Sequence, residues 1–189
     1  IKLLYVTTVS GTMDFFAEHI EMLLNQGHTV DFACAVMQPI QTTFIDEGCR
    51  VFDLGLSRSP ITQANYFGYL KLKRLLNSEN YDLVHTHTPI ASALVRIACR
   101  GNRRTKVVYT AHGFHFYKGA PLLNWLIYYP VEKWLSRYTD LLITINTEDY
   151  ELAQRVFDAE RIEYVPGVGV EVDEYRNTVV NFEAKRNEL

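Results

Sequence analysis

The sequence has little of what marks several large classes of protein. Its three cysteines, Cys34, Cys49 and Cys99, are far apart and form no CxxC pair, so neither disulfides nor a zinc site are indicated. Lysine and arginine number 19 against 22 acidic residues, and because nucleic-acid binders usually carry a basic excess, we expect no nucleic-acid partner. Apolar runs are broken before they could span a bilayer, and no signal-peptide pattern opens the chain. We therefore expect a cytoplasmic protein.

What the sequence does contain is a regular alternation of strand and helix signals. Short apolar, β-rich runs predict seven strands, at residues 3–7, 29–35, 50–54, 81–85, 106–110, 141–145 and 161–165. Amphipathic helices separate them, and one that begins near Pro121 should kink or restart at Pro130. We predict an α/β fold, a Rossmann-like three-layer sandwich with a mostly parallel sheet of about seven strands.

The length and the polarity of the chain indicate its domain organisation. A chain of 189 residues can bury one sizeable core. Polarity rises from Glu171, and residues 177–189 show no strand signal. We therefore predict one domain over residues 1–176, followed by a linker over residues 177–189.

Two of the predicted strands each lead into a pair of histidines. His85 and His87 come at the end of the fourth strand, and His112 and His115 follow the fifth. In a parallel sheet, these strand ends open on one edge, and ligands bind in the crevice there. Four of the six histidines should therefore gather at one ligand-binding edge.

The first histidine pair has a same-side spacing. His85 and His87 are two residues apart on a strand, so both side chains point to one face. Such a pair can bind a metal, but no Asp or Glu near these strand ends adds a ligand, and we expect no metal site. We interpret His85 as a packed, hydrogen-bonded residue and His87, which lies further out, as facing a ligand.

The second histidine pair contains the sharpest candidate. An imidazole at position 112 titrates near neutrality and can exchange hydrogen bonds with a sugar hydroxyl or a phosphate oxygen. Gly113 would let the chain turn sharply over the site. The alternative is that His112 is a core histidine before a turn. His115 and Lys118 follow on an exposed-looking loop, where they either contact an anionic ligand or are solvated.

The loop after the first strand is a weaker candidate for phosphate binding. Residues 8–12 contain a single glycine, Gly11, which could let backbone N–H groups approach a phosphate at a helix N-terminus. The dinucleotide-binding fingerprint needs three glycines, and the alternative is a tight turn with Gly11 at positive φ. Further along the chain, Thr88 followed by Pro89 is typical of a helix N-terminus.

Taken in order, these segments resemble the N-terminal domain of family 4 glycosyltransferases, enzymes of the GT-B architecture. The resemblance covers nearly the whole chain and rests on the Gly11 loop and on residues 27–30, 81–87, 110–113 and 165–170. Residues 111–122 are most similar to the branch that builds bacterial capsular and extracellular polysaccharides.

The resemblance implies a retaining transferase that moves a sugar from a nucleotide-sugar to a saccharide or lipid-linked saccharide acceptor, with no metal or other cofactor. In such enzymes two Rossmann-like domains face a cleft, and the N-terminal domain mainly holds the acceptor. The chain's own C-terminal domain would hold the donor, and residues 177–189 would lead toward it. The chain by itself should then fold but transfer no sugar.

Site residues are carried over by position. Gly11 would lie against the donor diphosphate, and His112 would be the catalytic contact to the transferred sugar. The acceptor side would be lined by His87, Phe114, His115 and Lys118. Two departures from the family pattern are the single glycine of the first loop, where many members have two, and Glu171, which stands where aspartate is frequent.

Three other interpretations stay open. A GT-B nucleotide-sugar epimerase would need an acid–base carboxylate near the sugar-binding edge, and none is apparent in the sequence. In a non-catalytic sugar- or nucleotide-binding domain, His112 would be structural. A metal-dependent hydrolase would be built on His85 and His87.

Two features favour docking on an anionic membrane surface. Arg100, Arg103, Arg104 and Lys106 form a basic cluster before the fifth strand. Residues 122–134 predict a helix rich in leucine and aromatic residues, which favour interfaces. Since a lipid-linked acceptor lies at the inner face of the cell membrane, we predict peripheral association there. The alternative is that this helix packs on the sheet and the basic residues are solvated.

Overall fold

The computed structural model describes residues 1–101 and 104–167. Seven strands lie within these residues: β1 (Lys2–Val9), β2 (Thr29–Ala35), β3 (Val51–Asp53), β4 (Leu83–Thr86), β5 (Lys106–Ala111), β6 (Leu141–Thr144) and β7 (Arg161–Tyr164). The helices there are α1 (Ala17–Asn25), α2 (Thr42–Asp46), α3 (Gln63–Glu79), α4 (Pro89–Cys99), α5 (Leu122–Ser136) and α6 (Thr147–Val156). A 3₁₀ helix (Ser10–Phe16) joins β1 to α1.

The strands form one parallel sheet in the spatial order β3-β2-β1-β4-β5-β6-β7. The direction of winding reverses between β1 and β4, where Tyr5 is the register partner of His85. At such a reversal the connections leave toward opposite sides and open a crevice beyond the carboxyl ends of the strands. The candidate site is therefore expected beyond β1, β4 and β5.

Alternate residues of the central strand enter two separate cores. Tyr5 packs with Ile20 of α1 on one face of the sheet. Leu4 packs with Leu72 of α3 and Val95 of α4 on the other face. Because each buried Leu, Ile or Val contributes roughly 1.5–3 kcal/mol, two-sided burial fixes the register of β1. The predicted α/β sandwich with a parallel sheet is confirmed.

A third core cluster holds the segment that follows β5. The rings of Phe114 and Phe116 stack with their centres 5.0 Å apart, and Phe157 packs edge-on against Phe114. Trp125 and Tyr129 of α5 pack against the same cluster. The chain after β5 is therefore anchored between α5 and α6 by aromatic side chains.

The structure differs from the sequence prediction in three local details. β1 continues to Val9, and the predicted loop of residues 8–12 is largely the start of the 3₁₀ helix. The short helix α2 is an addition, formed where Phe44 is buried against the α1-side core. α5 continues past Pro130 without a restart, because side chains on both sides of the proline, including Tyr129 and Leu135, are held by packing.

The C-terminal predictions lie outside the described residues. These are the domain end at residue 176 and the linker over residues 177–189, which stay predictions. Within residues 1–101 and 104–167, no helix is long and apolar enough to cross a membrane.

Candidate functional site

His85 is a packed histidine on the sheet face that α1 covers. Its residue surface is 8% exposed, and its Nε2 lies 2.9 Å from Oγ1 of Thr110 on β5. Burial lowers the pKa of His85 to about 3, so the ring is neutral at pH 7. The interpretation of His85 as a buried, hydrogen-bonded residue is confirmed.

His87 is far more enclosed than a ligand-facing residue would be. It is 3% exposed, and its ring stacks on Phe16 with the ring centres 3.8 Å apart. Tyr5 lies parallel to it at 5.7 Å. Burial lowers the pKa of His87, so this ring is also neutral. One edge of His87 nevertheless borders a cavity of about 340 Å³, the histidine cavity, which is lined by Thr12, Phe15, Phe16, His87, Thr88, Pro89 and His112.

His112 stands at the rim of the same cavity, directly after β5. The residue is exposed, and its Nε2 lies 3.3 Å from Nδ1 of His87. Partial burial of the ring lowers the pKa of His112. Gly113 follows with φ +134°, a conformation that L residues with side chains rarely adopt. The predicted sharp turn at Gly113 therefore exists, and it leaves His112 open to solvent on one side.

A fourth histidine, which was not among the predicted site residues, completes the group. His19 of α1 places Nδ1 3.0 Å from the hydroxyl of Tyr5, and its ring meets His85 edge-on at 6.3 Å. We refer to His19, His85, His87 and His112 as the histidine cluster. In the described part of the chain, no three His, Cys, Asp or Glu side chains are arranged to hold a metal ion. The sequence signal for this position of His19 is weak: His19 follows Phe16 by three residues, on the helical turn that enters α1.

His115 lies apart from this cluster, contrary to the expectation that it would join the other strand-end histidines. Its ring lies 4.7 Å from that of Tyr128 on α5, and its carbonyl oxygen accepts a hydrogen bond from Asn124. It borders a second cavity of about 360 Å³, the α4 cavity. The chain turns at Gly113, and this carries His115 over toward α5.

Phe114 and Lys118 do not border any of the cavities beside His112. The Phe114 ring is buried in the third core cluster, and its backbone N–H donates to Asp149 at 3.0 Å. The Lys118 side chain is exposed, and its backbone N–H donates to Glu148 at 2.7 Å. Of the four residues predicted to line the acceptor side, His87 borders the histidine cavity and His115 the α4 cavity, whereas these two border neither.

The α4 cavity lies at the N-terminus of α4. Thr88 occupies the N-cap position and Pro89 the first turn, as predicted. The Thr88 hydroxyl does not cap the helix, because it accepts the backbone N–H of Thr8 at 2.9 Å and lies 2.7 Å from the Thr8 hydroxyl. The N–H groups that begin α4 keep their donor capacity, and Arg58 adds a positive charge to the cavity wall. This combination favours an anion.

Gly11 borders a third cavity of about 680 Å³. It lies in the 3₁₀ helix and does not have positive φ, so the alternative of a tight left-handed turn is wrong. A Cβ atom at Gly11 would approach Nε2 of Gln38 to 2.8 Å, so the glycine makes room for that side chain. Ser10 holds the Gln38 segment in place, since its hydroxyl accepts the Gln38 N–H at 3.0 Å and donates to the Gln38 carbonyl.

The three cavities are contiguous. Thr12 borders all of them, Thr88 borders the histidine and α4 cavities, and Arg58 borders the α4 and Gly11 cavities. A ligand could therefore extend from Gly11 past the start of α4 to His112. The groups along this path are hydroxyls, a guanidinium, an imidazole and helix N–H groups, which suit sugar hydroxyls and phosphate oxygens.

Two relatives share substantial sequence with this chain. A Bacillus subtilis protein, EpsD, provisionally named a glycosyltransferase, is 49% identical over 136 residues, which are 70% of this chain and 35% of EpsD. The UDP-Gal:alpha-D-GlcNAc-diphosphoundecaprenol alpha-1,3-galactosyltransferase of Escherichia coli is 29% identical over 170 residues, 88% of this chain and 43% of that enzyme. The chain thus spans well under half the length of these curated relatives.

Solved structures with low sequence identity share the fold. Sucrose-phosphate synthase from Thermosynechococcus elongatus superposes with a TM-score of 0.67 at 15% identity, over 100% of this chain and 53% of that one. UDP-GlcNAc 2-epimerase from Neisseria meningitidis, bound to UDP-GlcNAc, gives a TM-score of 0.62 at 12% identity, over 87% and 45%. The chain therefore has the fold of one half of a GT-B protein.

The sequence profile described as "Glycosyl transferase 4-like" matches residues 2–146, about three quarters of the chain. Both relatives carry glycosyltransferase names. The chain therefore belongs to the glycosyl transferase 4-like family.

Proposed function

We propose that this chain is the acceptor-side domain of a retaining glycosyltransferase that needs no metal. The enzyme would move a sugar from a nucleotide-sugar to a saccharide or lipid-linked saccharide in the synthesis of a bacterial surface polysaccharide. The observation that carries the proposal is the continuous path from Gly11 to His112 at the reversal point of the sheet. Family membership supports the transfer reaction, and the relatives' greater length leaves room for the chain's own C-terminal donor domain.

His112 is proposed to contact the transferred sugar. It is the one residue of the histidine cluster that is exposed and also lies on the rim of the histidine cavity. Its neutral imidazole can hydrogen-bond a sugar hydroxyl without bringing a positive charge to the cleft. His85 and His87, which lie behind it, are buried.

The α4 cavity is proposed to receive the acceptor. The helix N-terminus and Arg58 favour a phosphate oxygen, and His115 borders the same space. The Escherichia coli relative is named for an acceptor that carries a diphosphoundecaprenol group, so a phosphate near the acceptor sugar agrees with this chemistry. Gly11, at the other end of the path, is proposed to lie against the donor diphosphate.

An epimerase that uses the same kind of donor is the second candidate, because solved epimerases share the fold. Such an enzyme would need an acid–base carboxylate at the sugar. Among the described residues that border the three contiguous cavities, none is Asp or Glu. This observation favours the transferase.

The test is an assay of the full-length protein with a panel of nucleotide-sugars, with and without a lipid-linked saccharide acceptor. We expect acceptor-dependent release of nucleotide and a product that retains the anomeric configuration, unchanged by a metal chelator. The 189-residue chain by itself should bind donors weakly and transfer no sugar. Conversion of the donor to its epimer without acceptor, or multiple turnovers by the 189-residue chain, would contradict the proposal.

We also propose that α5 docks the domain on the inner face of the cell membrane. Its outer side presents apolar residues, with Leu122 74% exposed and Leu126 66% exposed. Three aromatic residues of the predicted interfacial helix do not belong to this surface. They pack against the third core cluster and are Trp125, Tyr128 and Tyr129. The docking surface is therefore the outer face of α5, formed by Leu122, Leu123, Leu126, Ile127, Val131 and Trp134.

The predicted basic cluster contributes less positive charge than its number of residues suggests. Lys106 is paired with Asp140 at 2.6 Å and Glu160 at 3.4 Å, so its charge is largely compensated. Arg104 donates to Asn80, and Arg103 lies outside the described residues. Arg100 lies over the ring of Trp134 on the docking surface. We expect apolar insertion to outweigh electrostatic attraction in membrane binding.

A further inference from the structure

His87 has one ring nitrogen in a hydrogen bond and one with no partner. Its Nδ1 lies 3.3 Å from Nε2 of His112, while its Nε2 is buried and makes no hydrogen bond. Phe16 stacks on the ring and Tyr5 lies parallel to it, so the ring has little freedom to turn Nε2 toward a partner. The charged form of His87 is excluded by the same burial.

A neutral imidazole has one N–H donor and one lone pair, so the His87–His112 contact allows two arrangements. In the first, His87 donates from Nδ1, and its buried Nε2 is an unused lone pair. In the second, His112 donates from Nε2, and the proton of His87 must sit on the buried Nε2 without an acceptor. Orphaned buried N–H donors are rarer in proteins than orphaned acceptors, so the first arrangement is favoured.

We infer that His87 is a positioning residue that holds His112 in the tautomer with its proton on Nδ1, so that His112 offers an N–H donor to the ligand. His112 Nε2 is occupied as an acceptor, and its Nδ1 makes no hydrogen bond to the described residues. This nitrogen belongs to an exposed residue on the cavity rim. The inference rests on the proposed function only for the identity of the ligand, a sugar hydroxyl or phosphate oxygen.

The consequence concerns what His112 does to its ligand. In a neutral imidazole, the nitrogen that carries the proton can donate a hydrogen bond, but it has no lone pair with which to accept a proton. His112 would therefore hold an oxygen of the sugar or phosphate in place, and it would not act as a general base from Nδ1. His19 and His85, the other members of the cluster, have polar contacts of their own to Tyr5 and Thr110.

The test is histidine tautomer determination by two-bond ¹H–¹⁵N correlation NMR on the 189-residue chain at pH 7.5. We expect the proton on Nδ1 in both His87 and His112. In His87→Phe, which keeps an aromatic ring against Phe16 but removes the donor, His112 should shift toward the Nε2–H form that free histidine prefers. His87→Asn places an amide N–H near the position of Nδ1 and should restore the Nδ1–H form. The control His19→Phe should leave the tautomer of His112 unchanged.

A wild-type His112 with its proton on Nε2 would overturn the inference, as would an unchanged tautomer in His87→Phe. If His87→Phe fails to fold, the wild-type spectrum still decides. In the full-length enzyme, kcat for His87→Phe should fall by about 10-fold to 100-fold with KM nearly unchanged, with recovery in His87→Asn. Because the tautomer is read without substrate, a failure of sugar transfer and a failure of this inference are separate results.

Discussion

Arg96 of α4 and Glu132 of α5 form a two-point ion pair, with Nη1 2.8 Å from Oε2 and Nη2 3.1 Å from Oε1. Arg96 is 1% exposed, and it also donates from Nε to the Ser92 carbonyl oxygen and from Nη2 to the Ser92 hydroxyl. The guanidinium carbon also lies 4.5 Å from the centre of the Tyr109 ring. This pair joins the helix that begins at the α4 cavity to the helix that carries the docking surface.

Replacing Arg96 should destabilise the domain strongly. Arg96→Met removes one partner of a buried pair and leaves the Glu132 carboxylate uncompensated, which costs about 3–5 kcal/mol in comparable cases. Urea unfolding of the chain measures the loss. Arg74→Met, an exposed site on α3, is the control and should change stability by no more than about 0.5 kcal/mol. The double variant with Glu132→Leu should recover part of the loss, and a cost below about 1 kcal/mol in the single variant would be inconsistent with a buried pair.

Stability should fall as the pH falls below about 6.5, because burial keeps His85 and His87 neutral in the folded protein. Burial lowers the pKa of His85 to about 3, whereas an unfolded histidine titrates near 6.5. Between these values the unfolded state binds the proton and the folded state does not. Each such histidine therefore contributes stability that is fully present above pH 6.5 and is lost at up to about 1.4 kcal/mol per pH unit below it.

The measurement is urea unfolding at pH 7.5, 6.5 and 5.5, in the wild type and in His85→Gln. Glutamine can still hydrogen-bond Thr110 but does not titrate, so the slope below pH 6.5 should be shallower in the variant by up to about 1.4 kcal/mol per pH unit. Subtracting the slope of the variant from that of the wild type cancels the contribution of all other titrating groups to the pH dependence of unfolding. Equal slopes would show that His85 takes up a proton in the folded state.

His112→Ala should lower the activity of the enzyme but not the stability of its fold. In the full-length enzyme we expect turnover to fall by about 10²–10⁴-fold, because a hydrogen bond to the reacting sugar is lost, with little change in unfolding free energy. His85→Ala should show the opposite pattern, a loss of about 1–3 kcal/mol in stability as its contact to Thr110 disappears. Near-normal turnover in His112→Ala, with a working donor and acceptor, would remove His112 from the site.

Membrane docking should depend on the outer face of α5. In co-sedimentation with vesicles that contain anionic lipid, we expect Leu123→Ser and Leu126→Ser to reduce binding several-fold, because apolar insertion is lost. Ile45→Ser, an exposed apolar site on α2, is the control. The double variant Arg103→Glu and Arg104→Glu should bind anionic vesicles less at low salt, with a smaller effect at high salt. Negligible binding of the wild type to both anionic and neutral vesicles would rule out docking.

Several elements of the fold were predictable because their signals are local. β2 has the predicted bounds, and Thr88 with Pro89 begins α4 as expected, since apolar runs and N-cap residues act over a few positions. The 3₁₀ helix and α2 were missed because tertiary contacts hold them: Ser10 binds the Gln38 segment, and Phe44 is buried in the core. Such contacts leave no periodic trace in the sequence.

The site was only partly predictable. A histidine at the end of a parallel strand can be placed at an edge of the sheet, and His85, His87 and His112 lie together there. Whether a ring faces solvent or the core depends on the side chains packed against it. Phe16 encloses His87, and the turn at Gly113 separates His115 from the cluster. Neither outcome follows from spacing.

The type and order of the main elements and the parallel sheet follow from the sequence, because hydrophobic periodicity and short connections are properties of the chain as it is written. Tertiary packing is needed to establish which imidazoles meet, which are buried, and which nitrogen of His87 lies against His112. Those features depend on packing among α1, β4 and β5, which are distant in sequence and meet only when the sheet forms. Burial then sets the protonation of each ring, since removing an imidazole from water disfavours its charged form.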